Sequence, residues 1–125
     1  MRDDRPAGLT GYTCPDCGGM LSQPTNGAGS TEYRCRIGHA FSPADVWIKH
    51  CAMRNRALGA AARALAENAD LARALAAEAK ALGNDALAAR LEAEAQSEER
   101  HIGQILEMLE EIGAGESETD PEHNR

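Results

Sequence analysis

Cys35-Arg36-Ile37-Gly38-His39-Ala40-Phe41-Ser42-Pro43-Ala44-Asp45 joins two kinds of protein. Its first five residues place a thiol and an imidazole on a glycine-containing turn. Its last four place a serine where a helix begins, a proline at the first helical position and an acid at the third. Serine caps otherwise unpaired backbone N–H groups, proline is preset for the first turn, and the acid suits the positive end of the helix dipole. The stretch therefore predicts a metal-ligand turn that ends a small N-terminal unit and runs directly into a long helix.

Upstream, Cys14-Pro15-Asp16-Cys17-Gly18-Gly19 completes the pattern C-x2-C-x17-C-x3-H. Zinc prefers four donors in a tetrahedron, and thiolate and imidazole are its usual partners. Two close pairs on tight turns present two donors each, which makes Cys14, Cys17, Cys35 and His39 the expected ligands of a structural Zn2+ ion. Met20–Gln23 and Thr31–Arg34 read as short strands around a Gly/Pro/Asn loop, and Gly11-Tyr12-Thr13 as a third strand. Residues 11–42 thus read as a zinc ribbon behind a flexible segment 1–10. A disulfide, free thiols and a redox CxxC pair are the competing readings. The first is disfavoured in a reducing compartment, and the last belongs to larger α/β folds. His50 and Cys51 are substitute ligands in principle, but their place well inside the helix favours a surface imidazole and a buried thiol.

Downstream, composition changes sharply. Twenty of the 24 alanines lie in residues 43–112, and no proline follows Pro43 there. From Pro43 to Leu82 only Gly59 opposes a helix, at about 1 kcal/mol relative to alanine. Gly83-Asn84-Asp85 stops that helix and caps the next, which runs from Asp85 to Ile112 before Gly113. So short a link predicts an antiparallel hairpin over 43–112 with helices at 43–82 and 85–112, of about 60 and 42 Å. The spacing gives seams at Leu58, Ala61, Leu65, Asn68, Ala72, Leu75, Ala79 and Leu82, and at Leu87, Leu91, Ala95, Glu98, Ile102, Ile105, Leu109 and Ile112. Glu98 is expected to face Asn68 as a polar layer. Trp47, with Val46, Ile48, Cys51 and Met53, is expected to pack between hairpin and ribbon. The first helix carries six cations against four acids and the second two against eight, a complementary pair. Residues 113–125 read as a disordered acidic tail. The fold class is α with a small β zinc ribbon.

Only four aromatic residues and 29 apolar side chains larger than alanine serve 125 residues, so a thick core is excluded. A net charge of −7 argues against general nucleic-acid binding. Arg34 and Arg36 beside Tyr33 and Phe41 make a weak patch, so a nucleic-acid-binding ribbon ranks low. No apolar run reaches the ~20 residues a membrane helix needs. The N-terminus also lacks the core of a signal peptide, which predicts a cytoplasmic protein with no membrane contact.

Glu98-Glu99-Arg100-His101 contains Glu-x-x-His on a helix, half of a di-iron motif. A dimer could supply two copies with Glu67, as in a rubrerythrin-like redox protein using Glu98 and His101. Glu67 lies off the seam, however, so the polar-layer reading is preferred. No nucleophile elbow or phosphate-binding loop is present, and a non-enzymatic role is expected.

The run from Gly11 to Gly19 and the run Tyr33-Arg34-Cys35-Arg36-Ile37-Gly38-His39-Ala40-Phe41-Ser42 resemble the C-terminal extension of some CheB-type chemotaxis methylesterases. In those proteins a similar cysteine ribbon precedes an Ala/Arg/Glu-rich helical segment. The resemblance covers about residues 11–110, with specific motifs only in the ribbon and its junction. It implies a metal role for Cys14, Cys17, Cys35 and His39 and a partner in bacterial signalling, such as a chemotaxis-like methylesterase or its receptors. The serine, histidine and aspartate of the esterase domain are absent here, and the polar loop Gln23–Ser30 departs from the family pattern. A protein-interaction module that self-associates through its hairpin is the expected function.

Overall fold

The computed structural model describes residues 8–23 and 32–119. The chain divides into two units, residues 1–54 and 55–125.

In the first unit, β1 (Leu9–Thr13), β2 (Met20–Ser22), β3 (Tyr33–Arg34) and β4 (Ala40–Phe41) form an antiparallel meander in the order β1-β2-β3-β4. Leu9 pairs with Ser22 and Thr13 with Met20, so β1 carries more residues than β2 over the same span. The surplus bulges out, and the Thr10 hydroxyl compensates the broken ladder. It donates to the Leu21 carbonyl at 2.9 Å and accepts the Tyr12 N–H at 3.0 Å. Further along, Ser22 pairs with Arg34, and Tyr33 and Arg34 pair with Phe41 and Ala40.

Alternation along these strands sends Leu21 and Phe41 inward to meet Cys14 and Cys35, and Tyr33 and Val46 pack against that group. Four buried residues, two of them cysteines, are too little apolar area to hold a unit of this size by burial alone. The strands expected at Met20–Gln23 and Thr31–Arg34 are present in shortened form, whereas the first strand is longer than Gly11–Thr13 and takes in Leu9 and Thr10, which are ordered rather than part of a flexible segment. The added strand is β4, two residues at the junction between the His39 turn and the Ser42 cap. Residues 1–7, the loop 24–31 and residues 120–125 lie outside the described residues, as do the loop and end-segment expectations that rest on them.

Helix α1 spans Pro43–Ala81 and α2 spans Asp85–Thr119. The Ser42 hydroxyl accepts the Asp45 N–H at 3.1 Å, the expected cap. At the other end Asn84 N–H bonds to the Ala79 carbonyl and Gly83 N–H to that of Lys80, with Gly83 at φ +80°. This crossed pair closes α1, and the Asn84 side chain then accepts the Leu87 N–H to open α2. Two long helices and a small antiparallel sheet make the chain mostly helical. No helix among the described residues is long and apolar enough to cross a membrane.

Four expectations need correction. Helix α2 runs past Gly113 and Gly115 to Thr119, so residues 113–119 are helical rather than a disordered tail. Two glycines cost about 1 kcal/mol each relative to alanine, less than a whole turn of backbone hydrogen bonds recovers. Trp47 is 68% exposed, not packed away. The side of α1 that meets the ribbon is set by Val46 and His50, one turn apart, and Trp47 projects beside that line.

The seam is also displaced on α1. Ala69, Ala72, Ala76 and Ala79 are buried there, while Asn68, Leu75 and Leu82 are exposed. The centre of the contact is Ala69, Ala72 and Ala95, and Ala88 is buried in place of Leu87. Close approach of two backbones requires methyl groups at the contact, so the leucines sit beside the seam rather than in it. From Leu91 to Ile112 the expected positions of α2 are the covered ones. Finally, Glu98 does lie on the inner face, but its Oε2 is buried without a hydrogen-bond partner while Asn68 is exposed, so the expected polar layer is not closed.

Candidate metal centre

Two turns of similar construction carry the four donors. In the first, the Cys14 carbonyl accepts the Gly18 N–H and the Cys14 N–H bonds to the Gly19 carbonyl. In the second, the Cys35 carbonyl accepts the Gly38 N–H at 3.1 Å and the Cys35 N–H bonds to the His39 carbonyl at 3.0 Å. Each turn needs one residue at positive φ, supplied by Gly18 (+79°) and Gly38 (+113°). The second turn is one residue tighter, so His39 follows its glycine where Cys17 precedes the other. That offset places the imidazole across from the thiols.

The donor atoms of Cys14, Cys17, Cys35 and His39 all lie within 4.8 Å of one another. Cys17 Sγ is 3.6 Å from Cys35 Sγ, and His39 Nδ1 is 3.7 Å from Cys14 Sγ and 3.3 Å from Cys35 Sγ. A tetrahedral ion with metal–sulfur and metal–nitrogen bonds of about 2.3 and 2.0 Å has S···S and S···N edges of about 3.8 and 3.5 Å. The four residues are therefore close enough and suitably arranged to bind a metal ion, with Nδ1 as the histidine donor. All four cysteines are free.

The local field favours thiolate at Cys35. Burial pushes its pKa up, but the backbone N–H groups of His39, Gly38 and Ile37 and the Cys17 thiol hydrogen-bond to the sulfur and hold it down to about 6. Cys17 accepts the Gly19 N–H, which lowers its pKa, yet burial and the adjacent Cys14 and Cys35 thiols leave it above its ordinary value. Thiolates at Cys17 and Cys35 repel one another, and a cation between them relieves that repulsion.

The start of α1 is clasped to the first turn. His50 Nε2 donates to the Thr13 carbonyl at 2.8 Å, next to Cys14. Lys49 Nζ lies 3.4 Å from the carboxylate of Asp16, between the first two cysteines, and 5.6 Å above the Phe41 ring. His50 is thus a tether rather than a free surface imidazole, and Cys51 is half-buried; neither joins the donor cluster. The sequence signal for this clasp is only the i, i+4 spacing of Val46 and His50 behind the serine cap. Arg34 is paired with Glu32 at 3.0 Å, leaving Arg36 as the other exposed arginine of the weak basic patch.

On the hairpin, Glu98 faces inward while Glu67 and His101 are exposed. Among the described residues the ribbon cluster is the one group of three or more such side chains placed to share an ion. No family model, curated protein or solved structure matches the chain.

Proposed function

We propose that the chain is a non-enzymatic interaction module whose ribbon is folded by a structural zinc ion and whose hairpin docks other proteins. The observation that carries this reading is the closed donor set. Three thiols and one imidazole fill all four positions of a tetrahedron, leaving no place for water or substrate. Structural zinc supplies folding free energy, and a ribbon with four buried core residues has need of it. The ion fixes the first turn, and the His50 and Lys49 contacts carry that order into the first turns of α1.

The resemblance of the ribbon to the extension of CheB-type methylesterases supports a partner in bacterial chemotaxis-like signalling, either a methylesterase or a receptor. Self-association of the hairpin in a cytoplasmic protein belongs to the same reading. The test is metal analysis followed by calorimetric titration with a purified receptor cytoplasmic domain and a methylesterase. One zinc per chain, with binding that disappears on chelation, is expected. Stoichiometric iron with near-UV oxo-bridge absorption would replace this reading with the rubrerythrin-like one. Tight, steeply salt-dependent binding to a DNA duplex would replace it with the nucleic-acid one.

A further inference from the structure

The two sides of the hairpin differ. Arg73 of α1 pairs with Glu99 of α2, and Asp70, Lys80 and Glu92 lie toward that side of the seam. The opposite side is mostly apolar, interrupted by Asn68 and Glu78. Along α1 it presents Ala57, Ala61, Ala64, Asn68, Leu71, Leu75, Glu78 and Leu82, which follow one another at steps of three and four beside the buried alanines. Because Arg73 and Glu99 meet across one edge of an antiparallel pair, Leu87 and Met108 of α2 fall on the other edge, beside this row. Leu71 is 56% and Leu82 82% exposed, and Leu75, Leu87 and Met108 are exposed as well. These five side chains leave on the order of 500 Å2 of apolar surface open, in the range of the largest and often functional patch on a single chain.

The row is also ordered by size. Its first half is alanine and its second half is leucine apart from Glu78, with Asn68 between them. Turned antiparallel on itself about a point between Asn68 and Leu71, it sets Ala57 against Leu82, Ala64 against Leu75 and Asn68 against Leu71. Every leucine then meets a small or short residue, and a parallel arrangement would oppose leucine to leucine. Charge agrees with this direction. Residues 55–66 carry Arg56 and Arg63 and no acid, while the next half holds Glu67 and Glu78 and, toward the Glu99 edge, Asp70 with Arg73 and Lys80. Only the antiparallel order lays the cationic half along the half that holds the acids.

We propose that a second copy of this chain covers this face, with α1 packed antiparallel on α1 of the other copy about a twofold axis near Asn68 and Leu71. The interface is isologous, so one patch serves both copies. The proposal rests on the reading of the hairpin as a docking element and names its first occupant.

Sedimentation of the full-length, metal-loaded protein tests it, at about 100 μM, where a standard interface with micromolar or tighter affinity is occupied. Wild type is expected at twice the 13.3 kDa chain mass. Leu71→Glu and Leu75→Glu each halve that mass with helical circular dichroism and zinc content unchanged. Leu106→Glu, at a residue equally exposed on the Arg73–Glu99 side, leaves it as it is. In a Cys51→Ser background, chains with Ala64→Cys and Leu75→Cys form a mixed disulfide faster than either chain alone. A single-chain mass for wild type overturns the proposal, as does an equal effect of Leu106→Glu and Leu71→Glu. Preferred Ala64→Cys homodisulfides would overturn the register. A full complement of zinc in a single-chain species faults the dimer and not the metal reading. A dimer without zinc does the reverse.

Discussion

The ribbon and the hairpin solve the same shortage of core in opposite ways. The ribbon spends two of its four buried residues on cysteine and concentrates its cohesion at one point, where four donor atoms meet. The hairpin distributes its cohesion over two helices of 39 and 35 residues, each buried alanine contributing little and close backbone approach contributing along the whole contact. A point-held unit should fail all at once when the point is removed. A line-held unit should lose stability by increments.

The largest expected difference comes from removing that point. Cys35→Ser or a chelator should abolish the near-UV signal of Tyr12, Tyr33 and Phe41, because structural zinc supplies roughly 10–16 kcal/mol in small zinc-folded peptides. Helical far-UV intensity should fall only by the first turns of α1. Loss of the whole helical signal would show that the two units are not separable and would break the comparison.

A smaller contrast follows from single core substitutions. Leu21 is fully buried in the ribbon, and Leu21→Ala should cost about 2–5 kcal/mol in the metal-loaded protein, read from thermal melts of the near-UV signal. Ala95 is the fully buried centre of the hairpin contact, where the opposite change is informative. Ala95→Leu should force the helices apart and cost about 1–3 kcal/mol. A stabilised Ala95→Leu protein would mean that leucines, not methyl groups, belong in the seam.

How much of this was legible follows the same division. The four metal-cluster residues could be read from spacing alone, because ligand turns need fixed residue types at fixed intervals. The Ser42 cap and the Gly83-Asn84 turn were equally legible, since each rests on local chemistry. The side of α1 that faces α2 was not. In Ala-Leu-rich helix every three-four step is populated, and the choice between Leu75 and Ala76 depends on how closely the partner backbone approaches. That distance is tertiary. Gly113 and Gly115 misled in another way, since α2 passes both local stop signals and a single glycine costs a helix only about 1 kcal/mol. Strand β4 escaped notice because two residues carry no periodicity.

Glu98 offers a milder test of the line-held unit. Its Oε2 is buried without a partner, which charges the seam a desolvation cost that no hydrogen bond returns. Glu98→Leu should raise the melting stability of the hairpin by about 1 kcal/mol, since apolar replacement of an unpaired buried polar group is neutral to favourable. A destabilised variant that also loses bound iron would assign Glu98 to metal chemistry instead.

The smallest expected effect is the ion pair across the hairpin. The Arg73 guanidinium hydrogen-bonds to the Glu99 carboxylate and lowers its pKa, and the same bond raises that of Arg73. A carboxyl whose folded pKa is depressed stabilises the fold above its unfolded pKa, and that contribution disappears as pH falls through the folded value. The hairpin should therefore lose a little stability below about pH 4, where an ordinary glutamate takes up its proton. Both side chains are substantially exposed, at 39% and 50%, so salt should screen the effect. Glu99→Gln should flatten the acid limb of the melting curve at low salt and leave it unchanged at high salt. With a metal bound, the ribbon should respond to acid far more steeply, because protonation of metal ligands releases the ion. Equal acid sensitivity of the two near-UV and far-UV transitions would mean that one unit's loss carries the other with it, against the separation argued from their cores.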